Sequence, residues 1–193
     1  MNNNCMRVAG LDPSLSAWGM VKADLDLDSG LLTILDVVLI ETKPDNKNKV
    51  ERKNSQDLKR AQTLLKGLSG FLKDVELVFV EIPVGSQSAR AMASYGVCLG
   101  VIASIKAPLI QVTPKEVKMS SVGSQTASKR QMIDWATNTY PHVNWFTRKT
   151  KGIESFTNKN EHLADAIAAI HAGLETASYL QLRAMMLSIT KEK

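Results

Sequence analysis

Four side chains that can bind a divalent cation or transfer a proton lie in three separate parts of the sequence: Asp12, Glu81, His162 and Asp165. Asp12 ends the apolar run at residues 8–11 and precedes a Pro-Ser turn, which predicts a buried strand followed by a sharp turn. Glu81 ends a second apolar run, residues 77–80, in the same way. The carboxyl ends of adjacent strands in an open α/β sheet are where ligands gather, and carboxylate oxygens suit hard cations. Taken singly, Asp12 also fits a turn or capping residue and Glu81 a solvated strand end.

The third group lies on a predicted helix, residues 160–170, with Asn160 at its N-cap. His162 precedes Asp165 by three positions and Glu161 precedes it by four, so both lie on the same side of the helix as Asp165. This spacing is typical of a ligand set. The alternative is that Glu161 and His162 occupy a polar first turn and Asp165 faces solvent. An unpaired carboxylate in so alanine-rich and apolar a helix is costly, which favours a cation or a donor beside it.

Length and composition predict one soluble globular domain over residues 1–193. The chain has 44% hydrophobic and 22% charged residues, which argues against disorder. Its two cysteines, Cys5 and Cys98, show no metal-ligand spacing and indicate a reduced, cytoplasmic protein. No signal core and no run of about 18 apolar residues is present in the sequence, so no membrane partner is expected.

The net charge of +5 is unevenly distributed. Basic residues concentrate in residues 43–60 and 115–151, which are candidate phosphate contacts or, alternatively, solvated lysine-rich faces. Residues 142–158 are basic and aromatic and are predicted to be irregular, either an ordinary insertion or a nucleic-acid contact.

The pattern of apolar runs predicts the element order. Residues 8–11, 18–23 and 31–42 are predicted to form three antiparallel strands, and residues 77–81 and 109–113 two parallel strands reached by crossovers. Predicted helices run from Ser55 to about residue 73, over 86–105, from Pro114, from Ser128 or Thr126, and over 177–190. The expected architecture is a central five-stranded mixed sheet flanked by helices.

This order of strands, helices and acids is similar to the ribonuclease H-like fold, and several motifs are more specific. Residues 10–19, Gly-Leu-Asp-Pro-Ser-Leu-Ser-Ala-Trp-Gly, resemble the opening motif of the RuvC Holliday junction resolvases. Val80-Glu81 resembles their second acid, residues 116–118 and 123–129 their basic segment, and residues 160–169 their closing motif. The resemblance covers about residues 6–175, and the joint order and spacing of the motifs make it specific.

The resemblance implies a homodimeric endonuclease that nicks four-way DNA junctions symmetrically, with Mg²⁺ or Mn²⁺ as cofactor and no small-molecule cofactor. Two ions about 4 Å apart would serve each active site. Asp12 would bridge them, Glu81 would bind one, and Asp165 with His162 would complete the shells, with Glu161 a less favoured ligand. His162 has the alternative role of positioning water or protonating a leaving group. The implied DNA contacts are Lys118 and Lys129 near the cleaved backbone, and Arg130, Ser14, Trp145, Arg148 and the 43–53 loop elsewhere.

Two departures from the family pattern are visible. Residues 82–85 hold no aromatic side chain to wedge into a junction, and residues 142–158 are longer than the corresponding bacterial link, so that Trp145 or Phe146 is a candidate for base stacking. In both places the sequence resembles bacteriophage-type members of the family, which also cut other branched DNA. Residues 89–103 are expected at the dimer interface by the same resemblance.

Four other functions compete with this interpretation. A branched-DNA nuclease of broader specificity, acting on flaps or Y structures, fits the same residues, as does a nuclease acting on RNA or RNA/DNA hybrids. A non-catalytic junction-binding protein would have no need of the acids, which repel DNA unless metals bridge them. The 10–19 turn also resembles the phosphate-binding turn of actin-like and sugar-kinase ATPases, but no second domain or second phosphate loop is visible.

Overall fold

A five-stranded mixed sheet forms the centre of the computed structural model, which describes residues 4–45 and 50–191. Its strands lie in the order β3-β2-β1-β4-β5, with β1 antiparallel to β2, β2 antiparallel to β3, and β1, β4 and β5 parallel. The bounds are β1 Cys5–Asp12, β2 Ala17–Asp26, β3 Leu32–Glu41, β4 Leu77–Glu81 and β5 Leu109–Val112. The predicted mixed sheet, three antiparallel strands followed by two parallel ones, is confirmed.

Helices cover both faces of this sheet. They are α1 Lys53–Phe71, α2 Ala89–Ile102, α3 Pro114–Val122, α4 Lys129–Thr139, α5 Asn160–Leu174 and α6 Ala177–Lys191. Helices α1 and α2 cover one face through residues such as Leu64 and Cys98, while α5 and α6 cover the other through Ile167 and Tyr179. Central strands buried on both faces explain why β1 and β4 are continuous apolar runs.

Two predicted helix starts are supported by local hydrogen bonds. Thr113 caps α3 in a reciprocal capping box with Glu116, and Ser128 caps α4 in the same way with Gln131. Of the two candidates for the start of α4, Ser128 is therefore the cap.

Other boundaries were predicted wrongly. Helix α1 begins at Lys53 with Arg52 at its N-cap, so Ser55 lies inside the helix, and α2 begins after a Ser88 cap rather than at residue 86. Asn160 is the first residue of α5 and not its cap, because its side chain is buried and bonded elsewhere. Part of the lysine-rich 43–53 loop, residues 46–49, lies outside the described residues.

The 142–158 segment, predicted to be irregular, contains a β-hairpin. Strands β6 (Thr147–Thr150) and β7 (Ile153–Phe156) pair antiparallel around a two-residue turn. Both turn residues, Lys151 and Gly152, have positive φ angles of 49° and 83°. This is the turn geometry whose twist matches that of paired strands.

No helix within residues 4–45 and 50–191 is long and apolar enough to cross a membrane.

Helix α5 lies directly against the sheet because two glycines leave room for its backbone. A Cβ on Gly10 would be 2.0 Å from the carbonyl oxygen of Ala166, and a Cβ on Gly19 would be 2.1 Å from that of His162. Gly19 pairs with Asp12 across β1 and β2, so this close approach sets the distance between α5 and the end of β1. The two glycines at the ends of the 10–19 motif therefore seat α5 over Asp12.

Replacing Gly19 by alanine is expected to destabilise the fold by about 1–3 kcal/mol, because the new methyl group must displace helix backbone. Gly70→Ala is the matched control, since nothing lies within 4 Å of the added Cβ and alanine favours a helix. Denaturant unfolding of both variants tests this. Equal midpoints for Gly19→Ala and wild type would contradict the close approach.

Candidate active site

Asp12 and Glu81 end two neighbouring parallel strands at the same level. Leu11 pairs with Val80 in the parallel register of β1 and β4, so the next residue along each strand is one of the two acids. Successive residues of a strand alternate between faces, and residues in register share a face. The two carboxylates therefore lie side by side at the carboxyl edge of the sheet.

Helix α5 adds His162 and Asp165 to this edge. His162 Nδ1 lies 2.7 Å from Oδ2 of Asp12, and its Nε2 lies 3.6 Å from Oε1 of Glu161. Asp165 is one turn further along α5 and lies close enough to Asp12 and Glu81 for their charges to raise its pKa. The structure thus brings together the four side chains that the sequence singles out, from β1, β4 and α5.

Burial and like charge act together on the acids. Burial, and after it the charge of Asp12, raises the pKa of Glu81 to about 7, against the opposing effect of Lys118. Burial, Asp12 and Glu81 also hold the pKa of Asp165 well above its usual range. Burial lowers the pKa of His162, but its hydrogen bond to Asp12 and the surrounding acids outweigh this and leave it raised. The site therefore has an excess of negative charge that favours protons or cations.

Two carboxylate oxygens at this site are buried, and that of Asp165 is suited to bind a cation. Oδ1 of Asp165 and Oε2 of Glu161 are buried without a hydrogen-bond partner, an arrangement that is costly without a compensating charge or donor. Carboxylate oxygens with one imidazole form a donor set suited to Mg²⁺ or Mn²⁺. Within the described part of the chain, no three His, Cys, Asp or Glu side chains already surround a common point. Asp12 instead contacts His162 directly, a contact that a bound cation would compete with.

Two cationic side chains, Lys118 and Lys129, border these acids, and Arg130 follows Lys129 on α4. Lys118 on α3 is half-buried and near enough to Glu81 to oppose the rise in its pKa. Lys129, the first residue of α4, is mostly exposed and places Nζ 2.8 Å from Oε1 of Glu161. Arg130 is exposed and pairs with Asp134 on its own helix. Glu161 therefore contacts a lysine on one side and faces His162 on the other.

The remaining predicted DNA contacts lie in different environments. Ser14 is used locally, since its hydroxyl donates to the carbonyl of Ala17 and accepts from the Ala17 N–H. Trp145 is half-buried against the core, and its Nε1 donates to the carbonyl of Tyr140 at 3.0 Å. The structure gives Trp145 a packing role and leaves Phe146, 38% exposed, as the accessible ring of the pair. Arg148 is exposed on β6.

Sequence reasoning missed a buried arginine that supports the turn after Asp12. Arg60 on α1 is 7% exposed and donates to the carbonyl of Leu15 at 3.1 Å and to Oγ1 of Thr42 at 3.0 Å. It also pairs with Asp57 on its own helix. One arginine among many basic residues at 43–60 carries no sequence signal that separates it from solvated neighbours.

Comparison with known proteins finds similar sequences and similar structures. No family profile matches it. It is 29% identical over 129 residues to a crossover junction endodeoxyribonuclease RuvC of Prochlorococcus marinus strain MIT 9312, covering 67% of this chain and 78% of that protein. A second RuvC, from strain MIT 9303, is 27% identical over 132 residues, with 67% and 80% covered.

Two solved RuvC structures have a fold similar to that of this chain. RuvC of Thermus thermophilus in complex with Holliday junction substrate superposes with a TM-score of 0.59 at 18% identity, covering 91% of this chain and 96% of that one. A second Thermus thermophilus RuvC structure gives a TM-score of 0.57 at 21% identity, covering 92% and 96%. These likenesses show a shared ribonuclease H-like fold. By sequence and by fold together, this chain is similar to the RuvC crossover junction endodeoxyribonucleases.

Proposed function

We propose that this protein is a structure-selective DNA endonuclease that resolves four-way junctions by metal-dependent hydrolysis of phosphodiester bonds. The observation that carries the proposal is the meeting of Asp12, Glu81, Asp165 and His162 at one sheet edge, with carboxylate charge left uncompensated. The curated relatives, named crossover junction endodeoxyribonucleases, support the same activity.

RuvC-type nucleases depend on divalent metal in general, and we propose Mg²⁺, with Mn²⁺ as a substitute and two ions per site. Asp12, Glu81 and Asp165 would hold the ions, with His162 as a further ligand. Such ions would supply activation of the attacking water and stabilisation of the leaving oxygen of the phosphodiester.

The other residues of the site act on substrate and on each other. Without a bound cation, His162 orients the Asp12 carboxylate through the contact at Nδ1. Lys118, half-buried near Glu81, is placed to stabilise negative charge on the phosphate in the transition state. Glu161 fixes Lys129 at the start of α4, where the ammonium can contact a neighbouring backbone phosphate. We assign Glu161 this positioning role in preference to that of metal ligand, because one of its oxygens already holds Lys129.

The charge of the site also separates the alternatives. A binding protein without chemistry gains nothing from three acids next to the DNA backbone, because they repel phosphates. A nuclease of broader specificity, cutting flaps or Y structures, shares every residue of the site, and only substrate choice distinguishes it.

Cleavage of a mobile four-way junction, a Y flap and a plain duplex, each with Mg²⁺ and with EDTA, tests the proposal. Paired symmetric nicks in the junction are expected with Mg²⁺ alone, and Asp12→Asn is expected to abolish them. Asp36→Asn, which changes an exposed acid on β3, is the matched control. Binding without cleavage under either Mg²⁺ or Mn²⁺ would leave the binding module as the function, and preferred cutting of the flap would leave the broader nuclease.

We also infer a homodimer with α2 at its interface. The exposed side of α2 carries apolar residues, most of them with small side chains. They are Ala89, Met92, Ala93, Gly96, Leu99 and Gly100. Such a stripe permits close approach of a second helix.

Gly96→Glu is expected to convert this dimer to a monomer without unfolding the chain. Nothing lies within 4 Å of a Cβ at Gly96, so the new side chain fits the isolated protomer, but it places a charge at the centre of the apolar stripe. Sedimentation equilibrium measures the change, and thermal unfolding of the variant checks the fold. Gly70→Glu, on the open side of α1, is the control. A wild-type protein that is monomeric at micromolar concentration would contradict the inference.

A further inference from the structure

The β6–β7 hairpin is an arm that buries neither of its faces. All eight residues of its two strands are exposed, as are both residues of its turn. An isolated two-stranded hairpin has little stability in water, so this ribbon depends on its attachment to the rest of the chain. Its side chains face the solvent along the whole length of the ribbon.

The base of this arm is hydrogen-bonded to helix α5. Asn160, fully buried, accepts a hydrogen bond from the Phe146 N–H and donates one to the Phe146 carbonyl, both at 2.9 Å. The Thr157 N–H donates to the same carbonyl at 2.9 Å and closes the base of the ribbon. Asn160 immediately precedes Glu161 and His162, so the first turn of α5 fixes both the arm and the site.

The charge of the arm is strongly positive for its size. It carries Arg148, Lys149 and Lys151 against one acid, Glu154. Glu154 lies opposite Lys149 across the ladder, yet none of the three cations makes an ion pair with any residue in the described ranges 4–45 and 50–191. Toward α4, a cavity of about 510 Å³ separates the arm from Arg130, lined by Thr147, Glu154, Ser155 and Phe156. Arg130 follows Lys129, so the cations of the arm continue those at the site.

The turn at the tip of the arm contains a lysine at a position whose backbone conformation favours other residue types. Lys151 is the one non-glycine residue with positive φ in the described part of the chain. Asn, Asp and Gly adopt that conformation more readily at the first position of such a turn. A lysine held there places an ammonium at the extreme end of the ribbon.

We infer that the β6–β7 hairpin is a DNA-binding arm that contacts the phosphates of the duplex next to the cleavage site. A two-stranded ribbon is narrow enough to lie along a DNA groove, and its cations supply phosphate contacts without base recognition. Four residues per strand extend about 14 Å, the length of about four base pairs. The inference rests on the proposed function, since it places the cleaved DNA at the edge of the sheet.

The test is the salt dependence of junction binding by R148Q/K149Q/K151N, measured in EDTA in an Asp12→Asn background so that no DNA is cut. The slope of log affinity against log salt concentration is negative, and removing three phosphate contacts is expected to reduce its magnitude by about 2–3. Binding at 0.1 M salt is expected to be about a hundredfold weaker. The change at residue 151 keeps the turn, because Asn tolerates positive φ. The difference is expected to vanish on junctions whose arms end before the hairpin reaches them.

K66Q/K73Q/K106Q is the matched control, because it removes the same charge from exposed positions. Lys73 and Lys106 lie together near the amino ends of the parallel strands, opposite the ends that carry Asp12 and Glu81. A second variant replaces residues 147–156 by Asn-Gly, which closes the ladder at the Phe146–Thr157 hydrogen bond. Equal slopes for the arm variant and the control would overturn the inference, as would full binding by the shortened chain. Wild-type cleavage, assayed in parallel, reports on the proposed function separately, because loss of the arm effect leaves cleavage intact.

Discussion

Asp165→Asn is expected to abolish junction cleavage and, in the same protein, to stabilise the metal-free fold. Asp165 Oδ1 is buried without a partner, and burial with the charges of Asp12 and Glu81 raises the pKa of this carboxyl. The amide keeps the shape of the side chain but removes its charge and its ability to hold a cation. A loss of several kcal/mol of transition-state stabilisation corresponds to about a thousandfold or more in rate. Single-turnover cleavage with Mg²⁺ measures the first effect and denaturant unfolding in EDTA the second.

The stabilisation should depend on pH with a definite sign. A carboxyl whose pKa is raised on folding contributes full stability below its unfolded pKa and loses that contribution as the pH rises through the folded pKa. Wild type and Asp165→Asn should therefore be similar near pH 4 and differ at pH 8, because the raised pKa lowers the stability of wild type alone as the pH rises. Asp36→Asn controls for the loss of one acid at an exposed position. A variant that loses activity and is also less stable in EDTA at pH 8 would show that Asp165 is neutralised by a protein group instead.

The sheet could be predicted from sequence because its signals are local. Strands β1 and β4 are short apolar runs that end in an acid beside a turn, and the Asp28-Ser-Gly30 turn separates β2 from β3. Parallel pairing then follows from the helix between β3 and β4, since a parallel neighbour needs a crossover. The nearness of Asp12 to Glu81 is a consequence of that pairing.

The contacts of α5 could not be predicted in the same way. Gly10 and Gly19 are part of a motif in the sequence, but their closeness to the carbonyls of Ala166 and His162 is a tertiary fact with no local signal. Asn160 has the residue type of an N-cap and is instead buried against Phe146, 14 residues earlier. Local propensity gave the wrong role because a long-range pair of hydrogen bonds satisfied the amide better.

The hairpin was missed although it has a signal. Lys151-Gly152 separates two runs rich in Thr, Ile and Phe, and a two-residue turn ending in glycine is typical of a hairpin. The abundance of charge across residues 147–154 obscured the alternation, because neither face of the ribbon is apolar enough to indicate a buried side. The Lys129–Glu161 ion pair had no comparable signal, since its partners are 32 residues apart on different helices.

Glu81→Gln is expected to remove the contribution of Glu81 to the pH dependence of stability between about pH 4.5 and 7 in the metal-free protein. Burial and the charge of Asp12 raise the pKa of Glu81 from 4.5 to about 7. In that interval the unfolded chain releases the proton of Glu81 and the folded chain retains it, so unfolding becomes easier as the pH rises. At about 1.4 kcal/mol per unit, wild type should lose about 3 kcal/mol across the interval, a loss that the glutamine variant escapes.

The test of the Glu81 prediction is the free energy of unfolding, measured in EDTA over that pH range. It compares wild type, Glu81→Gln and the exposed control Glu175→Gln. Adding Mg²⁺ at pH 8 should recover the stability of wild type, because an ion bound only by the folded state stabilises it in proportion to the logarithm of its concentration. The glutamine variant should respond less, since one of the proposed ligands is gone. Parallel curves for all three proteins would mean that Glu81 is ionised at neutral pH without a metal, with its charge compensated by a group of the chain such as Lys118. The same sheet edge would then be a salt-bridged structural site, and the four converging side chains would need no cation to coexist.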